Sequence, residues 1–305
     1  MPMRKVLVVL NSRAGTLLTR DPVAAKRAVQ DRLSQSGRHV EVVLAKGRGI
    51  RQAIDRGVAG DYDTVVVGGG DGSVSYASRH LAGRDKVLGV LPLGTLNLFA
   101  RDIGMPADLD EAVAALNSAQ AQPVDVGTLN GRPFHTLSGV GFFAQMARAR
   151  EETRDIPGKL VRTAAAVVRA FGRTDAFAVD LDVDGATRSI QTYALLVTVN
   201  YFRGDDWRRS SLRDGTLEIH IAEDQGALAK LKAGADLATG GWRDNPGIHS
   251  YQAHKISIAR TKMHTWAATD GELSRERVPM TYEIRPAALN LLIPKANAPD
   301  ASPSS

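Results

Sequence analysis

Val65-Val66-Val67-Gly68-Gly69-Gly70-Asp71-Gly72-Ser73 decides the fold. The valines predict a buried strand, the glycines a turn, and the residues from Ser73 to Leu81 a helix. Glycines in such a turn let backbone N–H groups approach an anion closely. The helix N-terminus adds about half a positive charge. Asp71 would be repelled by a phosphate there unless a cation lay between them. That combination points to a nucleotide carried with Mg²⁺. The alternative is a plain tight strand-to-helix turn.

Working outward, Lys5–Leu10, His39–Leu44 and Val87–Leu91 read as further strands, with Thr64–Val67 between the second and last of them. Pro22–Ser36, Gly49–Val58 and Asp108–Asn117 read as helices, with Asp21 a cap and Pro22 at the first helical position. Continuous apolar strands alternating with helices indicate a doubly wound parallel α/β domain, placed at residues 1–125. Two more polar loops follow strands of this set. One is Asn11-Ser12-Arg13-Ala14-Gly15 and the other is Gly94-Thr95-Leu96-Asn97. Open α/β sheets bind ligands at the carboxyl ends of their strands, so three such loops favour nucleotide binding. No Walker A run exists, and a Rossmann fingerprint fails because Ser73 stands where its third glycine belongs.

After Pro123 the pattern changes. Phe177–Asp184, Ser189–Val199, Thr216–Ala222, His254–Ile258, Met280–Ile284 and Asn290–Ile293 read as strands, with an Asp184-Gly185 hairpin. Residues 126–295 are therefore expected to form an antiparallel β-rich, sandwich-like domain whose last strand or tail returns to the first. One helix, Leu160–Phe171, interrupts it, and 296–305 reads as a loose tail.

Apolar residues make up 43% of the 305, which excludes global disorder. The absence of cysteine removes disulfides, thiolate metal sites and a cysteine nucleophile. The apolar run near the start ends at Asn11 without a small-residue cleavage site, so it reads as a strand and not a signal peptide. No apolar stretch reaches membrane-spanning length, and the expected location is the cytoplasm, with peripheral contact at the inner face of the membrane. The 39 basic and 33 acidic residues are spread evenly, so no nucleic-acid partner is expected.

The motif order makes a resemblance specific. Asn11–Gly15, Gly69-Gly70-Asp71-Gly72-Ser73, Gly94-Thr95-Leu96-Asn97 with Phe99-Ala100-Arg101, Val124-Asp125-Val126-Gly127, Asp214-Gly215-Thr216-Leu217 and Asp270-Gly271-Glu272 follow one another. The chain resembles the diacylglycerol kinase catalytic family in its bacterial soluble lipid-kinase branch. Sphingosine kinases are similar, and NAD kinases and phosphofructokinases share the Gly-Gly-Asp-Gly element. The resemblance implies an ATP-dependent phosphotransferase acting on a lipid alcohol such as diacylglycerol. It implies that Asn11, Ser12, Arg13, Ala14, Gly15, Gly69, Gly70, Asp71, Gly72, Ser73, Val74, Ser75, Gly94, Thr95 and Asn97 line the ATP site. Ser211, Asp214 and the backbone of Thr216 would match the family's metal-binding turn, and Glu272 its general base with Asp270 beside it. Independently, phosphorylating an alcohol needs a base and cations on the transferred group. If their segment is extended, Asp270 and Glu272 share one face, and one carboxylate can accept a proton while the other holds a metal or a donor; the alternative is a surface Asp-Gly turn. The sequence departs from the family pattern at Ser73, Ser75, Tyr76, Leu98 and Ala45. The alternatives are a non-catalytic nucleotide- or lipid-binding relative and a soluble kinase of the NAD or sugar-phosphate type.

Two segments suggest a lipid surface. Between 148 and 173, Arg148, Arg150, Arg154, Lys159, Arg162, Arg169 and Arg173 outnumber Glu151, Glu152 and Asp155. Within it, Leu160, Val161, Ala164, Val167, Val168 and Phe171 recur at helical spacing. A basic amphipathic helix can lie on an anionic membrane; the alternative is a helix packed by its apolar face with solvated arginines outside. Tyr201, Phe202 and Trp207 form a second candidate for insertion at an interface. An exposed sheet edge could pair two chains as a homodimer.

Overall fold

The computed structural model describes residues 4–18, 21–35, 37–153, 155–203, 208–223, 226, 236 and 241–295. The chain divides into two compact units at Val124, and it re-enters the first unit from Ala287. The first unit contains β1 (Lys5–Asn11), α1 (Gly15–Leu18), α2 (Pro22–Ser34), β2 (His39–Ala45), α3 (Arg48–Ala59), β3 (Thr64–Gly69), α4 (Asp71–Leu81), β4 (Val87–Pro92), α5 (Leu98–Asp102) and α6 (Leu109–Ser118). Its strands are parallel in the order β4-β3-β1-β2.

Every residue of β3 and β4 is buried, as a sheet covered on both faces requires. Helices α3 and α4 pack on each other, as do α2 and α6. A Cβ added to Gly57 of α3 would lie 2.8 Å from a Leu7 methyl and 2.9 Å from a Val65 methyl, so only glycine lets that helix settle on β1 and β3. Asp21 caps α2 by accepting the Val23 N–H at 2.9 Å, with Pro22 at the first position. Asp108 caps α6 through the N–H groups of Asp110 and Glu111.

The second unit begins inside β5 (Gln120–Leu129). It continues through β6 (Arg132–Phe134), β7 (Leu137–Gly141), α7 (Phe142–Glu152), α8 (Lys159–Gly172), β8 (Phe177–Val183), β9 (Ala186–Val199), β10 (Leu217–Glu223), β11 (Ile248–Ala253), β12 (Lys255–Ala259), β13 (His264–Thr269), β14 (Glu272–Arg277) and β15 (Met280–Ile293). Strands run antiparallel in the order β14-β13-β7-β9-β8-β12-β15, and β10 joins β9 to β11. Val197, Ile219, Ile256, Ala267 and Tyr282 lie in its main core, and Phe142, Tyr193 and Trp242 in a second cluster. The fold is thus an N-terminal parallel α/β unit followed by an antiparallel β-rich unit.

Asp184 and Gly185 form the expected hairpin with φ of 48° and 90°, the left-handed pair a type I′ turn needs. Met280–Ile284 and Asn290–Ile293 are one strand and not two. β15 runs through both, with Ala287 at φ 53°, and its far end pairs Asn290 with Val87 in the first unit. Strands β7, β13 and β14 and helix α7 lie where the sequence reading assigned no element. The loop Tyr201–Arg209 is described only outside 204–207, so Trp207 lies beyond the described residues, as do Arg154 and the tail 296–305.

Candidate active site

The three polar loops follow β1, β3 and β4, which are neighbours in the sheet, so they share one edge of the first unit. The closest approach is between the second and third. A Cβ on Gly94 would fall 2.4 Å from the Gly70 Cα and 2.8 Å from Asn97 Oδ1, so the backbones meet with no side chain between them. Leu93 N–H donates to the Gly69 carbonyl at 3.2 Å. Asn97, itself left-handed at φ 50°, closes the third loop: its Oδ1 accepts the Gly94 N–H and its Nδ2 donates to the Gly94 carbonyl, both at 2.8 Å. Asn97 therefore shapes the loop with both of its amide groups, while Thr95 is exposed beside it.

Helix α4 starts from Gly70 without a side-chain cap, and Asp71 occupies its first turn. Uncapped first-turn N–H groups and the helix dipole favour an anion there. Gly72 is exposed with open space around its Cα, and Ser73 is half-buried with its N–H donated to the Gly70 carbonyl at 3.0 Å. Val74 and Ser75 differ: their side chains are buried, at 3% and 0% exposure, and leave only backbone to contribute to a ligand. In the first loop, Asn11 Oδ1 accepts the Arg13 N–H at 3.0 Å, and Asn11 O accepts that of Ala14. Ser12 donates through both N–H and Oγ to the Ala45 carbonyl at the end of β2. Arg13 and Gly15 are exposed and Ala14 is buried.

The departures at Ser75 and Tyr76 have structural partners. Arg79 donates to Ser75 Oγ at 3.1 Å, and Tyr76 donates to both Asp55 oxygens, at 2.8 and 3.1 Å, while stacking on His80. Tyr76 thereby ties α4 to α3.

In the second unit, Asp270 and Gly271 are the two-residue turn of the β13–β14 hairpin, with φ of 48° and 83°. The segment is thus the Asp-Gly turn and not the extended stretch that would place both carboxylates on one face, and it pairs Thr269 with Glu272. The two carboxylates accordingly have different surroundings. Asp270 is 7% exposed and accepts three backbone N–H groups, from His135 at 2.9 Å, Thr136 at 3.0 Å and Leu137 at 3.2 Å. Its own N–H donates to the Leu137 carbonyl at 2.9 Å. Asp270 thus fastens the hairpin tip to the β6–β7 connection. Glu272 opens β14 and stays half-buried. Beside it lies a buried hydroxyl chain in which Ser138 Oγ meets Thr269 Oγ1 at 2.8 Å and Tyr282 Oη at 3.1 Å. Burial pushes the Tyr282 phenol well above its ordinary range.

Ser211, Asp214 and Thr216 lie on one connection before β10. Asp214 is exposed and receives the Tyr201 N–H at 3.4 Å, and Ser211 Oγ accepts the Arg213 N–H at 3.0 Å. Thr216 N–H donates to Asn200 Oδ1 at 3.4 Å. Asp125, which the sequence reading did not select as a ligand, accepts the Gly215 N–H at 2.7 Å and holds the turn. No group of three His, Cys, Asp or Glu gathers anywhere among the described residues. The turn offers oxygen donors only, which fits a hard cation such as Mg²⁺, with Asp214 the one acidic ligand of the three selected residues. No described helix is long and apolar enough to cross a membrane.

Together these features define an α/β unit with a glycine-lined three-loop edge, joined to an antiparallel β-rich unit. Comparison with known proteins places that combination. Residues 5–129 match the diacylglycerol kinase catalytic domain, and residues 137–293 the YegS C-terminal NAD kinase beta sandwich-like domain. The chain belongs to the family built from these two domains, a diacylglycerol kinase catalytic domain followed by a YegS C-terminal domain. It is 26% identical over 262 residues to an uncharacterized protein of Synechocystis, covering 82% of this chain and 59% of that protein. It is 36% identical over 159 residues to a Pseudomonas aeruginosa protein named probable lipid kinase YegS-like, covering 50% of each. The chain thus matches between half and three-fifths of these relatives' length. A crystal structure of a diacylglycerol kinase from Bacillus anthracis shares the fold, with a TM-score of 0.74 at 20% identity, covering 98% of this chain and 100% of that one.

Proposed function

We propose that the protein is an ATP-dependent lipid kinase that transfers the γ-phosphoryl group to a lipid hydroxyl such as that of diacylglycerol. The observation that carries this reading is the Gly70–Gly94 contact, which brings two loop backbones together beside the N-terminus of α4. Backbone N–H groups and a helix dipole presented without intervening side chains suit a polyphosphate. Asp71, in the first turn of α4, would hold Mg²⁺ with the nucleotide, where the cation would neutralise charge on the transferred group. Asp214 is the second candidate metal ligand.

Glu272 is assigned as the base. It takes the proton from the lipid hydroxyl as that oxygen forms its bond to the γ-phosphorus. The bond from the γ-phosphorus to the bridging oxygen breaks, and ADP leaves. Asp270 acts differently: with three backbone N–H groups on its carboxylate it positions the hairpin that carries Glu272. The structural partners of Ser75 and Tyr76 support reading those departures as substitutions within the α3–α4 packing, compatible with turnover.

The acceptor reaches the enzyme from a membrane, and α8 is assigned to that surface. Its apolar residues do not share one face. Ala166 and Ala170 are buried, and Phe171 packs on Phe142 at 4.5 Å, while Val161 and Val168 stand 62% and 70% exposed. Val161 and Val168 are seven residues apart and therefore point the same way. Arg162 and Arg169 each follow one of them. An outward apolar stripe edged with arginines suits an anionic membrane surface.

The test is phosphoryl transfer from ATP with Mg²⁺ to diacylglycerol, monoacylglycerol, ceramide, sphingoid bases and phosphatidylglycerol in mixed micelles. Saturable product with one lipid is expected. Turnover confined to NAD or fructose 6-phosphate would overturn the lipid assignment, and nucleotide binding without any transfer would make the protein a non-catalytic relative.

A further inference from the structure

The β13–β14 hairpin has two chemically distinct faces. Ala267 lies in the core of the second unit, so Thr265, Ala267 and Thr269 face inward. Pairing across the hairpin sets Glu272, Ser274 and Glu276 on that same face. Glu276 is buried there against Arg132, and Ser274 donates to it at 2.7 Å. Alternation then sends every charged residue of the opposite face to one sign. That face carries His264 opposite Arg277, Trp266 opposite Arg275, and Ala268 opposite Leu273. None of its positions is acidic. Arg148 of α7 adds a further positive charge by lying over the Trp266 ring at 5.1 Å from its centroid.

This face also exposes apolar surface. Trp266 is 41% exposed, and Met263 in the preceding turn is 73% exposed. His264, Arg275 and Arg277 are exposed around them. An indole held beneath a guanidinium, an outstretched methionine and the exposed guanidinium groups of Arg275 and Arg277, with no carboxylate on that face of the hairpin, is a combination with a physical meaning. The indole suits the boundary between headgroups and acyl chains, and the arginines suit the phosphates above it. A soluble anion would satisfy the cations and leave Met263 and Trp266 in water. An anionic bilayer satisfies both.

We propose that this outward face of the β13–β14 hairpin docks on anionic phospholipid bilayers. The inference rests on the lipid-kinase reading for its purpose, and it extends that reading from α8 to a second contact. That contact lies on the strand pair whose inner face carries Glu272, so the hairpin that holds the proposed base would be registered directly on the lipid surface.

The chain of residues 1–305 is sedimented with vesicles of phosphatidylglycerol and phosphatidylcholine, and with vesicles of phosphatidylcholine alone. Arg275→Glu with Arg277→Glu should weaken binding to the anionic vesicles at least tenfold and flatten its salt dependence. Trp266→Phe should remove most quenching of tryptophan emission by brominated phosphatidylglycerol. Turnover of a short-chain, water-soluble diacylglycerol should stay within twofold of wild type for both variants, which separates loss of docking from misfolding. Unchanged vesicle affinity in the charge-reversed variant would overturn the proposal. So would a dimer in solution that the same variant converts to monomer while vesicle binding persists, because the face would then belong to a second copy. Failure of the lipid-kinase reading is distinguishable: no lipid alcohol would be phosphorylated, whatever the vesicle result.

Discussion

A side chain on Gly94 would collide with the Gly70 backbone: the added Cβ would stand 2.4 Å from the Gly70 Cα. Two loops from different strands are thereby held in contact by the absence of side chains. Gly94→Ala should cost about 1–3 kcal/mol of stability, because backbone and not a flexible side chain must move. It should also weaken ATP binding at least tenfold, measured by calorimetry. Gly72 is the matched control. Its surroundings are open, so Gly72→Ala should leave the melting temperature nearly unchanged. Equal melting temperatures for the two variants would contradict the close-contact account.

The Asp270 carboxylate serves three backbone N–H groups, and Asn cannot replace it fully because its Nδ2 only donates. Asp270→Asn should therefore destabilise the second unit by about 1–3 kcal/mol and lower turnover as a consequence. Chemical denaturation checks the first effect. A variant of wild-type stability with no turnover would make Asp270 a direct participant in the reaction.

His220 gives a pH signature. It is buried on β10, its Nδ1 is 2.8 Å from Ser250 Oγ, and it lies edge-on to Trp242. Burial first, and Arg243 second, push its imidazole down to about 3. Glu218 lies 3.5 Å from Nε2. That carboxylate is already held by Arg243 through two bonds, at 3.0 and 2.7 Å, so His220 stays neutral and forms no ion pair. At pH 7 it is neutral in the folded chain and mostly neutral in the unfolded one, so it contributes little. Below about 6.5 the unfolded chain takes up a proton that the folded one refuses. Stability should then fall by about 1.4 kcal/mol per pH unit from this group, down toward pH 3. The slope of melting temperature between pH 7 and 4.5 should be shallower in His220→Gln. An unchanged slope would show that His220 is protonated in the folded state.

Helix α8 offers a test with opposite signs. Val161→Ser and Val168→Ser should leave stability unchanged within about 0.5 kcal/mol, because both side chains are already exposed. The same pair should weaken binding to anionic vesicles severalfold in a sedimentation assay. A large loss of stability would show that the stripe packs against protein.

How far the sequence could be read depended on burial. Strands β1, β3 and β4 announce themselves because both of their faces are covered, leaving unbroken apolar runs such as Val87–Leu91. Strands β13 and β14 carry one solvent-facing side, and Glu272-Leu273-Ser274-Arg275-Glu276-Arg277 contains one apolar residue, so nothing in its composition marks a strand. The Asp270-Gly271 dipeptide is the signal the sequence offers: an Asp-Gly pair is a hairpin turn here as it is at Asp184-Gly185. The Asp-Gly turn is one of the two readings the sequence allows, and what it does not mark is that Asp270 is buried on three backbone N–H groups. Helix α8 was legible as a helix, but periodicity alone could not say that its apolar residues divide between an inner and an outer face. The glycines of the three polar loops were legible. That Asn97 turns back on Gly94 was not, since it depends on a left-handed residue that the sequence does not mark.

The most direct test of the lipid-kinase account is transfer of the γ-phosphoryl group from labelled ATP to a short-chain diacylglycerol, comparing wild type with Glu272→Gln. The substitution keeps size and hydrogen bonding but cannot accept the hydroxyl proton. The account predicts that turnover falls about 10²–10⁴-fold, while ATP affinity and melting temperature stay at wild-type values. Full turnover in Glu272→Gln, or no transfer to any lipid alcohol by the wild-type protein, would contradict it.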